Sequence, residues 1–231
     1  MNPNHEEIAR EINSKKKITR FNFTPQKMPS TGYALQRKLY TEGKQTNTLR
    51  FGKPKGVLIS YPETKINSLK ERALINYDMN IDFFSNLDSQ EYTSEILRFV
   101  GKNDFYEIDN LNDINKVKGC YLMCLDDYCQ CYIGIANNMR TRIMQHWSLA
   151  WPLDRLVFGS DKSLISINSF GIFDTKRIFI KKYNINQKHS DDEDRFINSI
   201  NEKFVLNRTM GGYQGSLAIA MENSRFREFL N

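Results

Sequence analysis

Two tyrosines, an arginine, a histidine and a glutamate stand out in this chain because their spacing can bring them together. The run GCYLMCLDDYCQCYIG (119–134) reads as two strands joined at Asp126-Asp127, a two-residue turn. In that register Tyr121 opposes Tyr132, with Cβ atoms about 5 Å apart. Alternation along the strands then sorts the side chains onto two faces. One face carries Tyr121, Met123, Gln130 and Tyr132; the other carries Cys120, Leu122, Cys124, Cys129, Cys131 and Ile133. The second face is apolar and predicts core, which accounts for all four cysteines without a metal. Aromatic residues suit strands on their own account, so the tyrosine pair gains meaning only from the segment next to it in the chain.

That segment is IANNMRTRIMQHWS, whose pattern predicts a helix over about 138–149 capped by Asn137 or Asn138. Met139, Ile143 and Trp147 fall four apart and predict its buried stripe. Arg142 and His146 form an i,i+4 pair on a neighbouring face. Only a few residues separate the first turn from Tyr132, so this face is expected beside the tyrosines. Phenols, a guanidinium and an imidazole in that arrangement are groups that move protons and grip anions. The plainer alternative for His146 is a packed or surface histidine next to Trp147.

Gly119-Cys120-Tyr121, ten residues, Tyr132-Ile133-Gly134, then Asn138-Met139 and Arg142-Ile143 ahead of His146, resembles the core of the GIY-YIG nuclease superfamily. Cys120 stands where the family name has isoleucine, on the face expected to be core. The resemblance extends to a later helix with a glutamate, here Glu193, flanked by an apolar stripe of Phe196, Ile197, Ile200 and Phe204. Asn207 matches the asparagine that the family often has near the end of that helix. The likeness covers about 119–210 and nothing before residue 115.

The resemblance implies an endonuclease that hydrolyses phosphodiester bonds with one divalent cation, Mg²⁺ or another such as Mn²⁺, held by Glu193. It implies that Arg142 grips phosphate oxygens, that Tyr121 aided by Tyr132 orients or deprotonates the attacking water, and that His146 shares the proton transfer or contacts phosphate. Asn207 is implied as a supporting hydrogen-bonding residue. Glu193 has a second fit: Ser190-Asp191-Asp192-Glu193 is a capping-box pattern in which the glutamate caps the Ser190 N–H. Asp191, Asp192 and Asp194 are alternative ligands.

These residues need elements to carry them. The order from residue 116 is expected to be β-β-α-β-α plus a C-terminal helix. The third strand is KRIFIKKY (176–183), the next helix 191–204, and the last 216–229 after a turn at Gly211, Gly212 and Gly215. That is an α+β class, a small sheet flanked by helices, with an N-terminal α/β extension. In the extension, 4–14, 64–77 and 89–100 read as helices. Leu69, Leu74, Ile75, Ile96, Leu97 and Val100 are their expected core positions. TLRFGKPKGVLISY (48–61) reads as strand, turn, strand. The acidic stretch 103–116 marks the expected boundary between an accessory region, 1–115, and a catalytic domain, 116–231.

Charge is uneven. Residues 1–60 hold 12 Lys/Arg against 4 Asp/Glu, while 61–115 hold 5 against 11. A basic leading segment fits phosphate contact or a solvated basic face. Lys15, Lys16, Lys17, Arg20, Arg37 and Lys38, with Arg140 on the helix, are expected to position phosphates rather than read bases. The spacing C-x3-C-x4-C-x-C on one hairpin disfavours a tetrahedral zinc site. No apolar run is long enough for a membrane span and no signal-peptide core is visible, so a soluble, cytoplasmic protein is expected.

Taken with the resemblance, these features lead to a DNA endonuclease as the expected activity, with RNA as an open substrate and a restriction or defence role favoured. A homodimer or sequential nicking is expected for cutting both strands. The competing expectations are a non-catalytic nucleic-acid-binding protein of the same fold and a small zinc-binding regulator built on the cysteines.

Overall fold

The computed structural model describes Phe21, Arg37, 48–51, 57–60, 63–148, Ile165, 167–184 and 191–207. The helices expected at 4–14 and 216–229, the glycine turn near Gly211, and Lys15, Lys16, Lys17, Arg20 and Lys38 lie outside the described residues.

The chain is a mixed α+β fold whose centre is a four-stranded antiparallel sheet. β1 (Thr48–Phe51) and β2 (Val57–Ser60) pair antiparallel, the two strands expected there, and the turn expected between them lies outside the described residues. Two helices come next, α1 (Glu63–Ser85) and α2 (Ser89–Lys102). The main sheet comprises β3 (Tyr106–Ile108), β4 (Gly119–Leu125), β5 (Gln130–Ala136) and β6 (Arg177–Lys182) in the order β3-β6-β4-β5. Helix α3 (Met139–Ser148) follows β5, and the short α4 (Asp192–Ile197) follows β6.

β4 is central and buried along its whole length, so both its faces must meet apolar partners. On one face Tyr121, Met123 and Leu125 pack with Met139, Ile143 and Trp147 of α3 and with Leu111, Ile114, Phe170 and Ile172. On the other, Cys120, Leu122, Cys124, Cys131 and Ile133 pack with Tyr92, Ile96 and Phe99 of α2 and with Phe196, Ile200 and Phe204. The cysteines are free and buried there, Cys120, Cys124 and Cys131 as strand alternation predicts and Cys129 from the turn between the strands.

The expected register needs correction. Asp126–Tyr128 form a 3-10 turn and Cys129 adopts a left-handed conformation with φ 50°, so the connection takes four residues rather than two. Tyr121 therefore pairs with Gly134, Met123 with Tyr132, and Cys124 with Cys131. The longer turn is held by tertiary contacts. Arg177 makes two bonds to the Asp126 carboxylate at 2.6 and 3.1 Å, and Lys176 pairs with Asp127 at 2.7 Å. Tyr128 is thereby turned inward between Phe84 and Phe170.

The boundary expected near residue 115 falls inside one packed unit. β3 hydrogen-bonds β6 with Tyr106 opposite Ile180, and α2 covers the cysteine face. Three strand residues between Asp- and Asn-rich flanks carry too little pattern to announce themselves. α2 forms as expected: Asp88 accepts from the N–H groups of Gln90 and Glu91, capping the first turn. Its buried stripe is Tyr92, Ile96 and Phe99, and Leu97 is 57% exposed rather than core. One residue is about 100° of helix rotation, which carries Leu97 off the stripe set by Ile96. Ile75, 42% exposed, is displaced likewise from the line of Tyr77 and Phe84 on α1. The helix expected over 191–204 stops at Ile197, and a 3-10 turn at Glu202–Phe204 returns the chain to β5.

Candidate active site

The site is assembled on the tyrosine face where α3 crosses β4 and β5. A two-residue change of register preserves strand parity, so Tyr121 and Tyr132 stay on one face as diagonal neighbours with ring centroids 6.3 Å apart. Opposite Tyr121 stands Gly134, and a Cβ there would meet the Tyr121 hydroxyl at 2.3 Å. The glycine leaves the room in which the ring lies. Gly119 serves the start of β4 in the same way, because a Cβ would come within 2.3 Å of the Lys181 carbonyl.

α3 is fixed at both ends. Asn138 accepts from the Thr141 N–H at 3.2 Å, the cap expected for this helix, and the Met139 N–H donates to the Val117 carbonyl. Near the other end the Trp147 indole donates to Thr175 at 3.0 Å. Met139, Ile143 and Trp147 are buried, which turns His146 onto the tyrosines. Tyr121 Oη and His146 Nε2 are 2.9 Å apart, and Tyr132 meets the same imidazole edge-on at 5.0 Å. His146 Nδ1 lies 2.7 Å from Asn168 Oδ1. His146 is thus a buried member of a hydrogen-bonded chain, and the surface-histidine alternative is excluded. Asn168 is a site residue that sequence reasoning missed. Nothing in SINSFG (166–171) sets one asparagine apart from the others in this chain.

Arg142, on the adjoining exposed face of α3, has its guanidinium beside both phenols. Burial pushes the Tyr121 phenol well above its ordinary range and Tyr132 up to about 12, while Arg142 acts against this through charge and hydrogen bonding. Burial pushes the His146 imidazole down to about 4; its bond to Asn168 opposes this, and the Arg142 charge adds to it.

Glu193 reaches the same field from α4. Its negative charge raises both phenols, and its own carboxyl is raised by burial and by Asp194 and lowered by Arg142. Half-buried Glu193 differs from its neighbours: Asp191 and Asp194 are exposed, and Asp192 is paired with Arg195 at 2.6 Å. The capping-box alternative involves Ser190, outside the described residues. Asn207 accepts from the Ile133 N–H at 2.8 Å and donates to the Ile133 carbonyl at 2.6 Å, gripping the strand that carries Tyr132. Away from this cluster, Arg37 is engaged with Asp78 at 2.9 and 3.0 Å, and Arg140 sits half-buried on α3.

Among the described residues no group of three or more His, Cys, Asp or Glu side chains stands together as a metal cage. A half-buried carboxylate in the electrostatic field of a guanidinium suits a hard cation that keeps most of its ligands as water and phosphate oxygen. It does not suit zinc, and the thiols are turned away into the opposite core. No helix among the described residues is long and apolar enough to cross a membrane.

No protein-family model matches this chain, and no curated protein and no solved structure matches it.

Proposed function

We propose that the protein is a metal-dependent endonuclease that hydrolyses phosphodiester bonds in DNA with a GIY-YIG-type site. The observation that carries this reading is the 2.9 Å contact of Tyr121 Oη with His146 Nε2, beside Tyr132 and in the shared field of Arg142 and Glu193.

The electrostatics constrain how such a site would work. A phenol raised by burial and an imidazole held at about 4 rest together as a neutral pair. A standing phenolate–imidazolium ion pair is too costly in this setting. Proton transfer is therefore coupled to attack. As water adds to phosphorus, Tyr121 Oη takes a proton from it while the phenol's own proton passes to His146 Nε2. The bond from phosphorus to the departing oxygen then breaks, that oxygen takes a proton from solvent, and His146 gives its extra proton back to solvent, restoring the neutral pair. Tyr132 orients the attacking water. Arg142 binds the non-bridging oxygens where charge accumulates. Glu193 would hold a divalent cation, Mg²⁺ or Mn²⁺, which when bound would supply charge neutralisation at the phosphate and the departing oxygen.

One such site cuts one strand, so duplex cleavage requires a second copy or two successive nicks. A restriction or defence role in the cytoplasm fits this activity. The test is nicking of supercoiled plasmid with Mg²⁺, comparing the wild type with Arg142→Ala and Glu193→Ala. Wild-type nicking lost in both variants and abolished by chelation supports the proposal. Equal cutting by all three sinks the site assignment. Binding without cutting by any of them favours a non-catalytic nucleic-acid-binding protein.

A further inference from the structure

Asn168 lies on the 3-10 turn Ile167–Ser169, between two buried residues. The turn closes through the Phe170 N–H on the Ile167 carbonyl at 3.1 Å, and the buried Phe170 ring packs on Tyr128 at 5.1 Å. Just beyond it the Gly171 N–H donates to the Asp174 carboxylate at 2.6 Å. The amide oxygen of Asn168 is therefore presented to His146 from a supported backbone. A neutral imidazole carries one proton and must place it on one of two nitrogens. An amide oxygen 2.7 Å from Nδ1 can only accept, so that nitrogen is the donor and Nε2 is left with its lone pair. The lone pair faces the Tyr121 hydroxyl, which donates to it.

We propose that Asn168 is a positioning residue that fixes His146 in the Nδ1–H form, so that Nε2 is open to receive the Tyr121 proton. In the other form Nε2–H would donate to Tyr121 Oη, and the imidazole would have nowhere to put a second proton on that side. The choice of a neutral amide also matters. A carboxylate would favour the imidazolium, whereas an amide orients the ring and leaves it neutral and able to accept.

This assignment rests on the proton-relay reading of the same site, yet its first test is independent of cleavage. Nitrogen-15 spectra of the full-length protein at neutral pH, with labelled histidine, report which ring nitrogen of His146 carries hydrogen. The wild type is expected to show Nδ1–H. Asn168→Leu is expected to lose that preference, and Asn168→Asp, which keeps an acceptor oxygen, to retain it. In plasmid nicking, Asn168→Leu is expected to lower kcat about 10- to 100-fold, as for other orienting partners of a histidine, with KM little changed. Asn168→Asp should recover the loss only at pH high enough to keep the imidazole neutral, because its carboxylate favours the imidazolium, which has no lone pair left on Nε2. A wild-type proton on Nε2 overturns the proposal without any variant. So does an unchanged tautomer in a folded Asn168→Leu protein. The expected tautomers in a protein that cuts nothing would uphold the role of Asn168 and defeat the nuclease reading instead.

Discussion

Tyr121 and Gly134 face each other across β4 and β5, and the tyrosine ring occupies the space a side chain at 134 would fill. The ring cannot swing aside, because it is 1% exposed and its hydroxyl is held by His146. Gly134→Ala is therefore expected to cost about 2 kcal/mol, the usual range for overpacking a filled core. It should also break the Tyr121–His146 contact. Urea unfolding and the tyrosine ring resonances would check both effects. A variant as stable as the wild type with an undisturbed Tyr121 would contradict this packing.

His146 supplies a pH signature. Its folded-state value of about 4 lies below the ordinary 6.5, so between those values the unfolded chain binds more protons than the folded one. Stability is then fully present above about pH 6.5 and declines as pH falls towards 4, by about 3 kcal/mol from this group. The difference between wild type and His146→Gln in unfolding free energy should shrink or reverse over that window. A difference independent of pH from 7 to 4.5 would rule out a buried neutral imidazole.

Arg142 separates function from stability. Its side chain is exposed, with a long 3.4 Å bond to Gln145 on its own helix, and it interacts further with the two phenols of the site. Arg142→Ala should leave the thermal midpoint almost unchanged, as surface substitutions do within about 0.5 kcal/mol. It should lower nicking about 100- to 1000-fold, the effect of removing a group that stabilises transition-state charge. A large stability loss would mean that the guanidinium is structural.

The cysteines should be silent in the folded protein. Cys120, Cys124 and Cys131 are fully buried, and burial pushes the Cys124 thiol up to about 12 and the other two upward as well. Thiolate is the reactive form. An aromatic disulfide reagent should therefore label these three only after denaturation, and elemental analysis should find zinc far below one equivalent. Rapid labelling of all four in native protein, or stoichiometric zinc, would contradict their place in the core.

Much of the site is legible in the sequence because alternation depends on parity, not on the length of a turn. The two-residue turn expected at Asp126-Asp127 is wrong, yet the shift is even, so Tyr121 and Tyr132 stay together and Cys120, Cys124 and Cys131 stay opposite. Arg142, His146 and the Met139–Ile143–Trp147 stripe emerge from helical spacing alone. The turn itself is not legible: Tyr128 and Cys129 look like strand residues, and only Arg177, Lys176 and the Phe84 and Phe170 rings draw them inward. β3 is too short to show a pattern, and it needs β6 to exist. Asn168 has no local signature, because its role is created by the 22 residues of chain separation that folding closes.

Asn207 is expected from sequence only as a supporting group, and the way it holds Ile133 reaches beyond the site. By accepting from one N–H and donating to the carbonyl of the same residue, its side-chain amide imitates a neighbouring strand. Cys131 is met just before it by Val205 and by the Leu206 N–H. β5 is an edge strand by topology, and an open edge invites a foreign strand to add itself. Here that invitation is already answered from within the chain. Asn207→Ala, expected to cost about 2–4 kcal/mol through two lost bonds and an exposed strand edge, should also make the protein prone to self-association. Faster amide exchange at Ile133 together with a concentration-dependent increase in size would show it. The asparagine thus closes a strand edge with the same two bonds that hold the strand bearing Tyr132.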